Sequence, residues 1–141
     1  MPLLPAAPAR WIDVGSGSGL PGIVLALARR ELNAVLLEPS EKRRAFLGAA
    51  LRSLGLRNVS ASSQRVSEHL ATGGAGAYDL AVSRAVFALP EWLSLGLRLV
   101  KPGGTVLGLE GSARVALPPD AERLPYDLGL GPRAIVRLRR A

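Results

Sequence analysis

The stretch Trp11-Ile12-Asp13-Val14-Gly15-Ser16-Gly17-Ser18-Gly19-Leu20-Pro21-Gly22 decides the fold. Four residues suited to a short buried strand run straight into alternating glycines. An apolar segment, Ile23 to Ala28, then ends in Arg29-Arg30, as the C-terminus of a helix favours. A strand, a glycine turn and a helix in that order make the first unit of an α/β protein. Glycines there let the backbone turn tightly and let a ligand approach without side-chain interference.

The same alternation repeats outward from this unit. Ala34 to Glu38 reads as a second buried strand ending in an acid. Ser40 is the expected N-cap of a helix from Glu41 to about Leu54, and Gly55 its stop. Ala45, Phe46, Ala49, Ala50 and Leu54 are the expected apolar face of that helix. Lys42, Arg43 and Arg44 sit at its beginning, the less favourable end for positive charge. A third strand is expected at Asn58–Ser62, helical turns at Arg65–Leu70 and a flexible loop at Gly73–Gly76. A fourth strand is expected at Tyr78–Ser83, a helix at Pro90–Leu99 and a turn at Lys101–Gly104. The fifth strand is placed at Thr105–Leu109, and two last ones near Tyr126–Leu130 and Ala134–Leu138. Four strand–helix repeats predict a Rossmann-like α/β fold. Its sheet is mostly parallel and twisted, with helices on both faces and an antiparallel C-terminal strand. Residues 1–9 are expected to be a loose tail and residues 10–141 one domain.

Composition bounds the chemistry. The chain has 141 residues, 48% hydrophobic and 21% charged, which suits a folded globule rather than a disordered chain. It has no cysteine, which excludes disulfides, zinc–thiolate sites, iron–sulfur clusters and a cysteine nucleophile. The net charge is +7, and only Lys42 and Lys101 among its 18 basic residues are lysine. This arginine excess fits phosphate recognition, and it also fits the compositional bias of a GC-rich genome. No stretch is long and apolar enough to span a bilayer, and no targeting segment is evident, so a cytoplasmic, membrane-free protein is expected.

In parallel sheets of this kind ligands bind outside the carboxyl ends of the strands. Gly15, Gly17 and Gly19 lie at the first such end. Glu38 ends the next strand 23 residues after Gly15, where a carboxylate can accept hydrogen bonds from ribose hydroxyls. The dinucleotide fingerprint G-x-G-x-x-G needs a third glycine at position 20, which is Leu20, so a nicotinamide-dependent oxidoreductase is disfavoured. The phosphate loop G-x-x-x-x-G-K-[ST] is also missing.

An acid two residues before G-x-G-x-G resembles the class I S-adenosylmethionine-dependent methyltransferases. Further motifs narrow the resemblance: Gly19-Leu20-Pro21-Gly22, Glu41 to Leu47, Leu54-Gly55-Leu56-Arg57-Asn58-Val59, Tyr78 to Ala85 and Val100-Lys101-Pro102-Gly103-Gly104. Their order over residues 10–112 is similar to the RsmG (GidB) family of bacterial small-subunit ribosomal RNA methyltransferases, which act on N7 of a guanine. The resemblance implies S-adenosyl-L-methionine as cofactor and ribosomal RNA or the small ribosomal subunit as partner. It implies Gly15 and Leu20 as loop contacts, with Gly17 and Gly19 allowing close approach, and Glu38 on the ribose. Val66 and Ser67 would lie against the adenine. Arg84, of the Ser-Arg-Ala run, would stand beside the cofactor and substrate as the candidate catalytic residue.

The chain also departs from the family pattern. Ser67 replaces a usual glutamate, with Glu68 one residue later. Glu110 replaces a usual lysine, an expected reversal of charge near the RNA surface. Only about nine residues precede Trp11, where family members carry a helical region. One sheet face is therefore expected to be uncovered, leaving an apolar patch or a route to self-association. A second reading follows, that of an inactive or truncated methyltransferase-like module binding RNA or protein. Arg84 has a structural alternative, pairing with Asp79 or with a helix carbonyl. His69 is expected to be solvated, Trp11 and Trp92 to be core, and the Arg137, Arg139 and Arg140 cluster to be a solvated strand end.

Overall fold

The computed structural model describes residues 9–17, 21–84, 87–111 and 114–141. Seven strands form one sheet: β1 (Arg10–Val14), β2 (Asn33–Leu37), β3 (Val59–Ser62), β4 (Tyr78–Ser83), β5 (Val100–Glu110), β6 (Glu122–Asp127) and β7 (Pro132–Arg139). Their spatial order is β3-β2-β1-β4-β5-β7-β6. The first five run parallel, and β7 is antiparallel to both β5 and β6. Among the described residues the α-helices that connect the parallel strands are α1 (Gly22–Ala28), α2 (Glu41–Ser53), α3 (Val66–His69) and α4 (Leu89–Leu99). The strand order reverses between β1 and β4, so the switch point lies where the glycine turn leaves β1.

Two apolar layers sandwich the sheet. On one face Trp11, Leu36, Leu80 and Leu107 pack with Ile23 and Ala26 of α1 and Leu47 and Leu51 of α2. On the other, Ile12, Ala81, Val106 and Val136 pack with Trp92, Leu93 and Leu99 of α4. Both tryptophans are core, as expected, and the Trp92 indole N–H donates to the Leu107 carbonyl at 2.9 Å. Ser40 caps α2 by accepting from the Arg43 N–H. At the other end the Leu56 N–H closes onto the Leu51 carbonyl at 3.0 Å, a Schellman stop around Gly55.

The inward face of α2 is not the expected one. Leu47 and Leu51 are buried, whereas Phe46 is 57% exposed and Leu54 41% exposed. Leu47 and Leu51 are one turn apart and point at the sheet, which places Phe46 about a quarter-turn away, outside the packed stripe. The uncovered sheet face is also not found among the described residues. Leu80, Val82 and Leu107 are buried there and Leu109 and Ile135 half-buried, because Ala9, Trp11 and the two helices share one cluster with them.

Three boundaries differ from expectation. Lys101–Gly104 belongs to β5, where the register against β4 jumps from Tyr78↔Val100 to Leu80↔Thr105; the Gly103 N–H is held by the Arg140 carbonyl. β6 starts earlier and ends at Asp127, because Asp127 Oδ1 accepts from the Gly129 N–H and turns the chain into the β6–β7 hairpin. Past α3 the helix widens over Leu70–Gly74, and Thr72 and Gly73 leave helical geometry.

Candidate functional site at the carboxyl ends of the strands

Four strand ends and their following loops meet at one rim. Gly15 and Gly17 adopt positive φ, 74° and 56°, so the chain doubles back immediately after β1. The Gly15 and Ser16 N–H groups both donate to the Leu37 carbonyl, at 2.9 and 3.1 Å. The Glu38 carboxylate then ties the turn to the start of α2: Oε1 accepts from the Gly17 N–H and Oε2 from the Ser40 N–H, each at 2.9 Å. Glu38 is buried, and it organises the glycine turn as well as standing at the expected ribose position. A carboxylate has about four lone pairs, so two such bonds leave acceptor capacity for hydroxyl donors.

Beneath the turn lies Asp13, 1% exposed. Among the described residues neither of its carboxylate oxygens completes a hydrogen bond. Burial pushes its pKa up to about 7, with the Ser16 side chain, the Gly22 backbone and the Arg84 charge pulling the other way and Glu38 adding slightly to the rise. A buried acceptor without a donor costs stability, and it suits a donor or cation brought by a ligand. Gly22 explains the last glycine of the opening stretch. A Cβ there would sit 2.5 Å from Asp13 Oδ2 and 2.8 Å from Leu36 Cδ2, so α1 can press on β1 only without a side chain.

On the other side of the switch point, Ser83 is buried and its hydroxyl donates to the Val14 carbonyl at 2.9 Å, pinning the end of β4 to the end of β1. Sequence reasoning on the Ser-Arg-Ala run misses this fastening; a serine ending a buried strand beside the glycine turn is its only signal. Arg84 follows, exposed, in the bend after β4. It does not pair with Asp79. That carboxylate lies at the opposite end of β4, held by Lys101 Nζ at 2.8 Å and the Arg10 N–H at 2.9 Å. Val66 and Ser67 begin α3 after β3, Val66 half-buried and Ser67 exposed beside Glu68. The Glu38 N–H donates to the Ser62 carbonyl, which keeps the end of β3 level with that of β2. The structure therefore gathers Gly15, Gly17, Glu38, Val66, Ser67 and Arg84 along one edge. Gly19 and Leu20 lie outside the described residues.

Several expectations at this edge and beyond it change. Glu110 is not a reversed surface charge. It is buried at the end of β5, where it accepts from the Val115 N–H at 3.1 Å and from the Arg123 guanidinium at 2.9 and 3.1 Å. The Arg123 hydrogen bond holds its carboxyl below the ordinary range. His69 is not simply solvated: it bridges Gln64 Oε1 at 2.9 Å and the Tyr78 hydroxyl at 2.6 Å. Partial burial, followed by the charge of Arg10, holds its pKa below the usual value. Within the C-terminal arginines, Arg137 pairs with Glu122 and Arg140 donates to the Val100 carbonyl. No group of three metal-ligating side chains occurs among the described residues, nor any helix long and apolar enough to cross a membrane.

Residues 1–116 match the GidB family, described as rRNA small subunit methyltransferase G. The chain belongs to this family. A relative from Acidothermus cellulolyticus, the ribosomal RNA small subunit methyltransferase G, is 40% identical over 140 residues, covering 99% of this chain and 60% of the relative. The chain spans about half the length of the curated GidB-family relatives it matches. Solved structures agree on the fold. Precorrin-6y C5,15-methyltransferase from Geobacter metallireducens superposes with a TM-score of 0.71 at 15% identity, covering 94% of this chain and 80% of that one. Coclaurine N-methyltransferase, solved with N-methylheliamine and SAH, gives 0.65 at 15% identity over 77% of this chain and 32% of its own.

Proposed function

We propose that this GidB-family chain is a cytoplasmic S-adenosyl-L-methionine-dependent methyltransferase domain, spanning residues 10–141, that acts on guanine N7 in small-subunit ribosomal RNA. The observation that carries the reading is the buried Asp13 carboxylate, unpartnered among the described residues, under a glycine turn that Glu38 closes. The donor set fits the cofactor. Its amino-acid end carries an ammonium group, the natural complement of Asp13, and its ribose carries hydroxyl donors suited to the remaining lone pairs of Glu38. Gly15 and Gly17 leave the turn bare of side chains. Gly19 and Leu20 would continue that contact, and Val66 and Ser67 would flank the adenine beyond Glu38.

When bound, the cofactor supplies a methyl group already activated on a sulfonium. Guanine N7 carries a lone pair and no proton, so the chain needs no general base. Its task is placement. The Ser83 bond to β1 holds the start of the β4 bend in position against the glycine turn. Arg84, exposed at that bend, is available to fix the RNA or the anionic end of the cofactor. An oxidoreductase reading has no comparable support, because a bulky residue stands where the dinucleotide loop needs its third glycine.

The decisive assay is transfer of labelled methyl from S-adenosylmethionine to unmodified small-subunit RNA, with calorimetric titration of S-adenosylhomocysteine in parallel. Label at a guanine N7 is the expected result. Cofactor binding without transfer would support the alternative of a methyltransferase-like binding module, and binding of NAD instead would overturn the cofactor assignment.

A further inference from the structure

The first two turns of α2 carry an exposed cluster that neither the core nor the cofactor contacts account for. Phe46 is 57% exposed. Lys42 and Arg43, four and three residues before it, are also exposed and share its side of the helix. Among the described residues neither cation forms an ion pair. These residues, with Gly17 and Ser40, line an open cleft of about 730 Å³. Gly17 is the residue whose N–H Glu38 holds, so the cleft adjoins the cofactor turn directly.

The cluster is unfavourable for the chain alone. Two cations stand at the positive end of a helix macrodipole, and an aromatic ring faces water. Leu47 and Leu51 already fill the inward face of α2, so Phe46 is not required for packing. An aromatic platform flanked by cations is the arrangement that takes up an unstacked base and its neighbouring phosphates.

Building on the RNA methyltransferase reading, we propose that Phe46, Lys42 and Arg43 form a docking site for a single-stranded RNA nucleotide flanking the target base. The base stacks on the Phe46 ring while Lys42 and Arg43 take the adjacent phosphates. A duplex presents no free base face and does not use the site. Charge complementarity between two unpaired cations and a polyanion selects RNA over a protein partner.

Fluorescence anisotropy with a labelled single-stranded RNA of about 12 nucleotides tests the proposal, alongside calorimetric titration of S-adenosylhomocysteine. Phe46→Ala is expected to weaken RNA binding by roughly 5- to 100-fold, and Phe46→Trp to retain it. The double change Lys42→Ala and Arg43→Ala is expected to flatten the slope of log affinity against log salt by about 1.4. S-adenosylhomocysteine binding should not change in any of these variants, because the three side chains are exposed, and the thermal unfolding temperature should not fall; the double change should raise it slightly, since it removes two cations from the positive end of α2. RNA affinity unaltered in Phe46→Ala, or no RNA binding by the parent chain, overturns the site. Loss of S-adenosylhomocysteine binding in Phe46→Ala reassigns the ring to the cofactor and also overturns it. A dimer that Phe46→Ala dissociates, with RNA affinity unchanged, assigns the patch to a second copy of the chain. If the parent chain fails to bind S-adenosylhomocysteine at all, the methyltransferase reading fails separately, and the stacking result is read independently of it.

Discussion

Replacing Asp13 by asparagine should change how stability depends on pH. The folded pKa of about 7 stands well above the ordinary 3.8, with burial the largest cause. Because the folded state holds the proton more tightly than the unfolded state, there is no ionisation penalty below about pH 4. The penalty grows as pH rises between 3.8 and 7 and is complete above 7. At about 1.4 kcal/mol per pH unit, the gap between the two values corresponds to a penalty of about 4 kcal/mol. The asparagine side chain keeps the size of the aspartate and cannot ionise, although its amide stays unpaired at a cost of roughly 1–3 kcal/mol at every pH. Urea unfolding of both proteins from pH 4 to pH 8.5 isolates Asp13, since every other titrating group is common to the pair. The stability difference should swing in favour of Asp13→Asn by up to about 4 kcal/mol as pH rises, nearly all of it below about pH 7.5. The same substitution should weaken S-adenosylhomocysteine binding at pH 8, where the lost negative charge would complement the ligand's ammonium. A difference that stays flat within about 0.5 kcal/mol across that range would refute a buried, unpartnered carboxylate at this position.

Gly22→Ala should lower stability by roughly 1–3 kcal/mol in chemical denaturation and weaken cofactor binding, because the new methyl displaces Asp13 and Leu36. Arg84→Ala should leave the melting temperature unchanged, since the side chain is exposed, and reduce methyl transfer on the order of 100-fold; unchanged transfer would remove its role. Glu110→Gln should lower the melting temperature at pH 7. The ion pair with Arg123 holds the Glu110 carboxyl below its ordinary 4.5, so its stabilisation is complete above that value and lost as pH falls through the folded one. Calorimetric scans of the two proteins should therefore converge on acidification.

The legible parts of this protein are those in which a local rule and the tertiary environment coincide. A buried parallel strand must be apolar on both faces, so β1, β2 and β4 stand out as short apolar runs bounded by glycines and acids. Ser40 and Gly55 bound α2 because cap chemistry is local. The glycine turn and Glu38 can be read as a site because both lie at strand ends, where the fold puts its ligands. The inward stripe of α2 cannot be read in this way. Phe46 and Leu47 are adjacent and both apolar, and only the position of the sheet decides which is buried.

The two acids show the same division. That Asp13 and Glu38 end neighbouring strands follows from the order of residues along the chain. That Glu38 spends two lone pairs on the Gly17 and Ser40 amides while Asp13 finds no donor among the described residues follows from three-dimensional packing. Glu110 looks like a misplaced surface charge until Arg123, in a strand at the far edge of the sheet, comes round to meet it. Sequence alone determined the α/β class, the family and where a candidate site should be sought, because strand burial, glycine turns and caps act over a few residues. Tertiary structure decided which charges are paired, which carboxylate is left waiting for a partner and which aromatic faces solvent, because those depend on contacts between residues far apart in the chain.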